Sequence, residues 1–128
     1  MQKFTPVGKI EKAHNALSLS LDGWTLGTLV IAAGDVQQLL SGRKVDIHFV
    51  QQHPGRDPFI GYAGVAQLSR SGRAVNVWIE GKMMTAPLRE VQAVAEGKKA
   101  AARLSSPSSV IDADTARSIS AGLIRGGF

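Results

Sequence analysis

The chain of 128 residues contains no cysteine. That excludes a disulfide scaffold, a cysteine nucleophile and a thiolate metal site, and it suits a reducing compartment. Aromatic residues are scarce, with two Trp, one Tyr and four Phe. No apolar run approaches the ~20 residues that a membrane-spanning helix requires. The stretch MQKFTPVGKIEK at the start has no apolar core of signal-peptide length. The expectation is a soluble, cytoplasmic protein without a membrane partner.

Catalytic signatures are missing too. There is no GxSxG elbow, no helical HExxH pair and no GxxxxGK[ST] phosphate loop. The glycine-containing stretch IGYAG has neither the spacing nor the following helix of a dinucleotide fingerprint. These absences point away from an enzyme, and no cofactor or metal is expected.

What the chain does contain is one pattern met twice. Residues 35–49 read DVQQLLSGRKVDIHF and residues 90–104 read EVQAVAEGKKAAARL. An offset of 55 aligns Val36 with Val91, Gln37 with Gln92, Leu39 with Val94, Gly42 with Gly97 and Lys44 with Lys99. A repeat of this kind constrains architecture before any single residue is interpreted. It predicts two similar units, over about 7–50 and about 62–105, within one domain of residues 1–106.

In the first unit, Val7 to Ala13 reads as a strand and His14-Asn15-Ala16 as a turn. Leu17, Leu19 and Leu21 alternate with polar residues, the period of a strand with one buried face. Asp22-Gly23 predicts a tight hairpin. Trp24 to Ile31 returns as a second arm, kinked at Gly27. Ala33, Val36, Leu39 and Leu40 share one helical face, with Gly42 just past the helix end. Val45, Ile47 and Phe49 then alternate as a strand.

The second unit follows the same order. Tyr62 to Leu68 reads as a strand, and Val75, Val77 and Ile79 alternate in the next. Glu80-Gly81 stands where Asp22-Gly23 stood, at an offset of 58. Thr85 is expected to cap a helix with Pro87 in its first turn. Leu88, Val91, Val94 and Ala95 form its apolar face. The segment GKKAAARL favours helix by composition, but its counterpart GRKVDIHF is a strand, so a strand is expected from Ala100 to Leu104. Residues 50–61 and 105–109 read as loops, and 107–128 as a tail with a short helix from about Asp112 to Ile124.

The predicted fold is α+β, mainly β: a small closed or half-open barrel of two strand-strand-helix-strand units about a pseudo-twofold axis. The layout is similar to that of cradle-loop barrels, which pair two such halves. The likeness is architectural and implies no activity.

Net charge is +5, nearly all of it beyond residue 60. Most of it serves solubility, yet it leaves three readings of function. The leading one is a non-catalytic module, expected as a homodimer, that contacts a protein or a small ligand. A second is a nucleic-acid-binding barrel that uses Arg70, Arg73, Lys82, Lys98 and Lys99 with the outward Trp78, since bases stack on exposed aromatics. A third is an enzyme built on His48, His53 and Asp57, with Arg56 beside them. The units differ most where Asp46 and His48 face Ala101 and Arg103, and where Trp78 matches Ser20. A site is expected on those positions and on the loop between the units.

Overall fold

A computed structural model describes residues 4–107. Eight strands run in chain order: β1 (Phe4–Ala13), β2 (Ala16–Leu21), β3 (Thr28–Ile31), β4 (Val45–Gln51), β5 (Phe59–Leu68), β6 (Ala74–Ile79), β7 (Lys82–Pro87) and β8 (Ala101–Pro107). Helix α1 (Ala33–Leu40) lies between β3 and β4, and α2 (Leu88–Ala95) between β7 and β8. Each strand pairs antiparallel with its sequence neighbours, and β8 returns to β1, which closes the barrel.

Strand alternation decides which residues fill the interior. Ile10, Leu17, Leu19, Leu29, Ile31, Val45, Ile47, Ala66, Val75, Val77, Met84, Ala86, Ala102 and Leu104 are buried. An eight-stranded barrel is just wide enough for such side chains to fill. The segment Ala101–Leu104 is strand despite its helical composition, with Ala102 and Leu104 in the core. Four register pairs with β1 and burial of its alternate residues outweigh an intrinsic preference of a few tenths of a kcal/mol per residue.

Up-and-down connection sorts the loops onto two ends. One end holds the His14-Asn15 turn, α1, the turn at 69–73 and α2. Val36 and Leu39 of α1 and Val91 and Val94 of α2 are buried there. The helices touch each other and the strands beneath, so they stopper this end. Gly42 (φ 102°) and Gly97 (φ 78°) end them in the left-handed conformation expected of the two matched glycines. The other end holds the loops 22–27 and 52–58, the Glu80-Gly81 turn and the two ends of the described chain. No helix covers it.

Several local expectations are corrected. Asp22-Gly23 does not make a two-residue hairpin. Only Gly23 has positive φ, and the Trp24 N–H donates to the Leu21 carbonyl at 3.1 Å, making a β-turn inside a six-residue loop before β3. Glu80-Gly81 is the true tight hairpin. Both residues have positive φ (53° and 77°), and Ile79 pairs directly with Lys82. Thr85 is a strand residue opposite Asn76, and Pro87 takes the N-cap position of α2. The inter-unit loop is shorter than 50–61, because β4 and β5 pair out to Gln51↔Phe59. Ser105 to Pro107 belong to β8 and not to a linker. The helix expected between Asp112 and Ile124 lies outside the described residues.

One seam of the barrel is thin. β7 and β8 share a single pairing, Thr85↔Ser105. Extending that register sets Pro87 opposite Arg103 and Met83 opposite Pro107. Proline offers no N–H, so the ladder loses a donor on each side of the one bridge.

Candidate functional site

The uncovered end of the barrel forms a cavity of about 440 Å³. Its floor is apolar, made by Val7 of β1, Leu21 of β2, Ile79 of β6 and Met84 of β7. Its rim carries Asp22, Glu80 and Lys82, all exposed. Ser106, on the far side of the thin β7–β8 seam, completes one wall. The volume falls within the range of small-molecule sites, which combine an apolar lining with a few polar groups.

Trp24 is the residue that distinguishes this cavity. The six-residue loop folds its indole back onto the barrel mouth, where it is half-buried and packs on the core. Its ring meets Phe49 edge-on, with centroids 6.3 Å apart and planes at 68°, and Phe49 in turn meets Phe59 at 5.9 Å. Phe49 lies over Gly61, where a Cβ would collide with the ring. The Trp24 Nε1–H is fully buried and has no hydrogen-bond partner, the one such side-chain group among the described residues. A buried unpaired donor costs about 1–3 kcal/mol, so native structures seldom tolerate one without a reason.

A second depression, of about 450 Å³, lies between β1, β8 and α2 and is lined by Lys9, Glu90, Lys99 and Arg103. Part of its charge is already engaged, Lys9 with Glu11 at 3.5 Å. Glu90 pairs with Lys99 at 3.8 Å and accepts the Arg103 backbone N–H at 3.5 Å. The apolar lining of this depression is limited to Pro6, Ala101 and Ala102, whereas the mouth has a floor of larger aliphatic side chains, so the mouth is the better-formed site.

The residues singled out in the sequence fall elsewhere, apart from Lys82. Trp78 sits on the outer face of β6, between Val65 and Met83, and is 36% exposed. His48 is half-buried on the outer face of β4, between Val30 and Tyr62. With exposed Ile60 and Tyr62 these residues form an apolar and aromatic strip on the outside of the barrel. His53, Arg56 and Asp57 are exposed in the 52–58 loop, held by a turn in which the Arg56 N–H donates to the His53 carbonyl at 3.1 Å. Among the described residues, no side-chain hydrogen bond or ion pair joins His48, His53 and Asp57. Nor does any group of three or more His, Asp or Glu there gather as for a metal ion.

The basic set is split. Arg70 and Arg73 lie in the 69–73 turn, and Lys98 and Lys99 follow α2, all at the helix-covered end. Trp78 and Lys82 lie toward the mouth. Arg73, just before β6, and Trp78, near its far end, are five residues apart, or about 17 Å at ~3.4 Å per residue. They do not surround one hairpin turn as their sequence proximity suggested. Lys98 is moreover paired with Glu96 at 3.1 Å.

Comparison of the chain with protein-family models, with curated proteins and with solved structures found no match. No helix among the described residues is long and apolar enough to cross a membrane.

Proposed function

We propose that this protein is a non-catalytic binding module whose ligand enters the uncovered mouth of the barrel. The single observation that carries the reading is the mouth cavity itself, with an apolar floor, three charged rim residues and the Trp24 side chain on its wall. Among the described residues, no side-chain hydrogen bond or ion pair links Asp22, Glu80, Lys82 and Ser106 into a catalytic set, which favours binding over reaction.

The reading includes two β-β-β-α-β units related by a pseudo-twofold axis. Support comes from spacing. β1 and β5 are each 10 residues long and start 55 apart, and α1 and α2 are each 8 residues long and start 55 apart. Such an axis sets the 22–27 loop across the mouth from the Glu80-Gly81 hairpin, and both border the cavity. The ligand then lies between the units, where they differ most. One loop carries Trp24; the other is a bare two-residue turn.

A small-molecule library screened by two-dimensional NMR tests the proposal. Ligands should perturb the amides of residues 21–24 and 79–84. Perturbations confined to the outer strip, to the Lys9–Arg103 depression or to no residue at all would refute the mouth as the site.

A further inference from the structure

We infer that the apolar strip on the outside of β4–β7 is the docking face for residues 112–124 of this same chain, laid across the strands as a short helix. The inference does not depend on the mouth being a ligand site, because the strip lies on the outer wall.

The strip is continuous in register. Val50 pairs with Ile60, Val65 with Trp78 and Trp78 with Met83, and Tyr62 follows Ile60 on the same face. Ile60 and Tyr62 are 62% and 63% exposed. Asp46, opposite Val65, stands at the margin. The other side of the barrel differs, with Lys9, Ser20 and Arg103 in one cross-strand row. An exposed apolar patch rimmed by polar residues marks a contact surface. Three strand spacings of ~4.8 Å by five residues of ~3.4 Å give the strip a footprint of about 14 by 17 Å. That is well under the ~800 Å² per partner of a stable protein–protein interface, which disfavours a second copy. It suits one short helix, since residues 112–124 at ~1.5 Å each span about 20 Å.

The described chain ends beside this strip. The Thr85↔Ser105 register, extended, sets Pro107 opposite Met83, and Met83 pairs with Trp78. Pro107 is thus two strand spacings, or about 10 Å, from Trp78. Residues 108–111 reach about 13 Å when extended. A segment tethered so closely meets the strip at an effective concentration of about millimolar, which a free partner in dilute solution does not reach.

Residues 112–124 read DADTARSISAGLI and lie outside the described residues. On a helix, Ala116, Ile119 and Leu123 share one face, while Asp114, Arg117 and Arg125 fall on the other. Ala116 to Leu123 covers about 10 Å, which matches the two strand spacings from β6 to β4. So short a helix, with Gly122 inside it, is marginal in isolation. Its helicity therefore reports docking. In this arrangement Trp78 is covered by the protein's own chain and offers no platform for stacking bases.

NMR on the full chain, with labelled methyl groups and aromatic rings, tests the inference. Nuclear Overhauser effects should join the Ile119 and Leu123 methyls to the Tyr62 and Trp78 rings, and the carbon shifts of 112–124 should be helical. Tyr62→Ser, a change on the outer face, should abolish those contacts and move the shifts to random-coil values. Ile119→Asp combined with Leu123→Asp should shift the resonances of Ile60, Tyr62 and Trp78 and leave the barrel core unmoved. Random-coil shifts for 112–124 in the unaltered protein would overturn the inference. So would contacts from Ile119 and Leu123 to Leu21 and Met84, which would place the segment in the mouth. An isotope-filtered spectrum of mixed labelled and unlabelled chains separates one chain from two. Contacts found only between chains would assign the strip to a second copy and refute docking within the chain.

Discussion

At the scale of single residues, close packing decides which positions tolerate change. Gly64 on β5 faces the Trp78 backbone carbonyl so closely that a Cβ would overlap it, with Ile79 also in the way. The neighbour is backbone of a paired strand and cannot swing aside. Gly64→Ala should therefore lower stability by about 1–3 kcal/mol, as overpacking does elsewhere. Gly34 is the opposite case. It lies in the first turn of α1 with open space around its Cα and no positive φ. Gly34→Ala should stabilise by about 0.5–1 kcal/mol through helix propensity and a less flexible unfolded chain. Urea titration of both variants checks the pair, and equal signs for the two would contradict this account. The residues of the mouth were harder to find. Asp22 and Glu80 stood out in the sequence as turn residues, and Trp24 only as the start of an arm. A tryptophan directly after Asp-Gly gives no hint that its N–H ends up buried, because burial depends on strands that are distant in sequence. Trp78 was legible as outward-facing from the alternation of β6, and it is.

Among the elements, strand pairing is uneven, and the unevenness has a covalent cause. β4 and β5 share a long ladder from Val45↔Ala66 to Gln51↔Phe59, broken once by a bulge after Ile47. β7 and β8 share one pair, flanked in register by Pro87 and Pro107. Fewer ladder bonds leave less to break in a local opening. Amide hydrogen exchange followed by NMR should show faster exchange along β7 and the facing edge of β8 than along the β4–β5 ladder. Equal protection on the two seams would mean that side-chain packing, and not main-chain pairing, sets local stability here. Most elements were readable from periodicity: α1, α2, β2, β4 and β6 came out near their expected limits. The errors were at boundaries. Phe59 to Gly61 read as loop because prolines and glycines precede them, yet pairing with β4 draws them into a strand. Ser105 to Pro107 look like a linker in isolation and are held extended by β1.

For the whole molecule, closure is the main constraint. β1 depends on β8 for one of its two partners, and β4 on β5. A fragment ending in the 52–58 loop would expose both edges and half of the core. Two free edges over an apolar face are not a stable monomer. Residues 1–56 expressed alone should therefore show no folded monomer by circular dichroism and sedimentation. If the two units are equivalent, the fragment should instead pair with itself. A stable folded monomer of this fragment would contradict the dependence of each half on the other. The distribution of charge also belongs to this scale. Among the described residues, basic side chains lie at both ends of the barrel, and Lys98 and Lys99 are paired with Glu96 and Glu90, so they make no single basic face.

The sequence by itself determined the order and type of the elements, because a period of two, a helical apolar face and a glycine after each helix are local signals written in neighbouring residues. It also determined that strand would prevail at Ala101–Leu104, through the likeness of that segment to β4. Only the tertiary structure decided which end of the barrel is stoppered, where the open mouth lies, and that Trp24 rather than Trp78 lines it. Those features arise when β8 closes on β1, joining Phe4 to Pro107 across nearly the whole described chain. A pairing between residues so far apart leaves no trace in any local window, so the site it creates is absent from the sequence pattern.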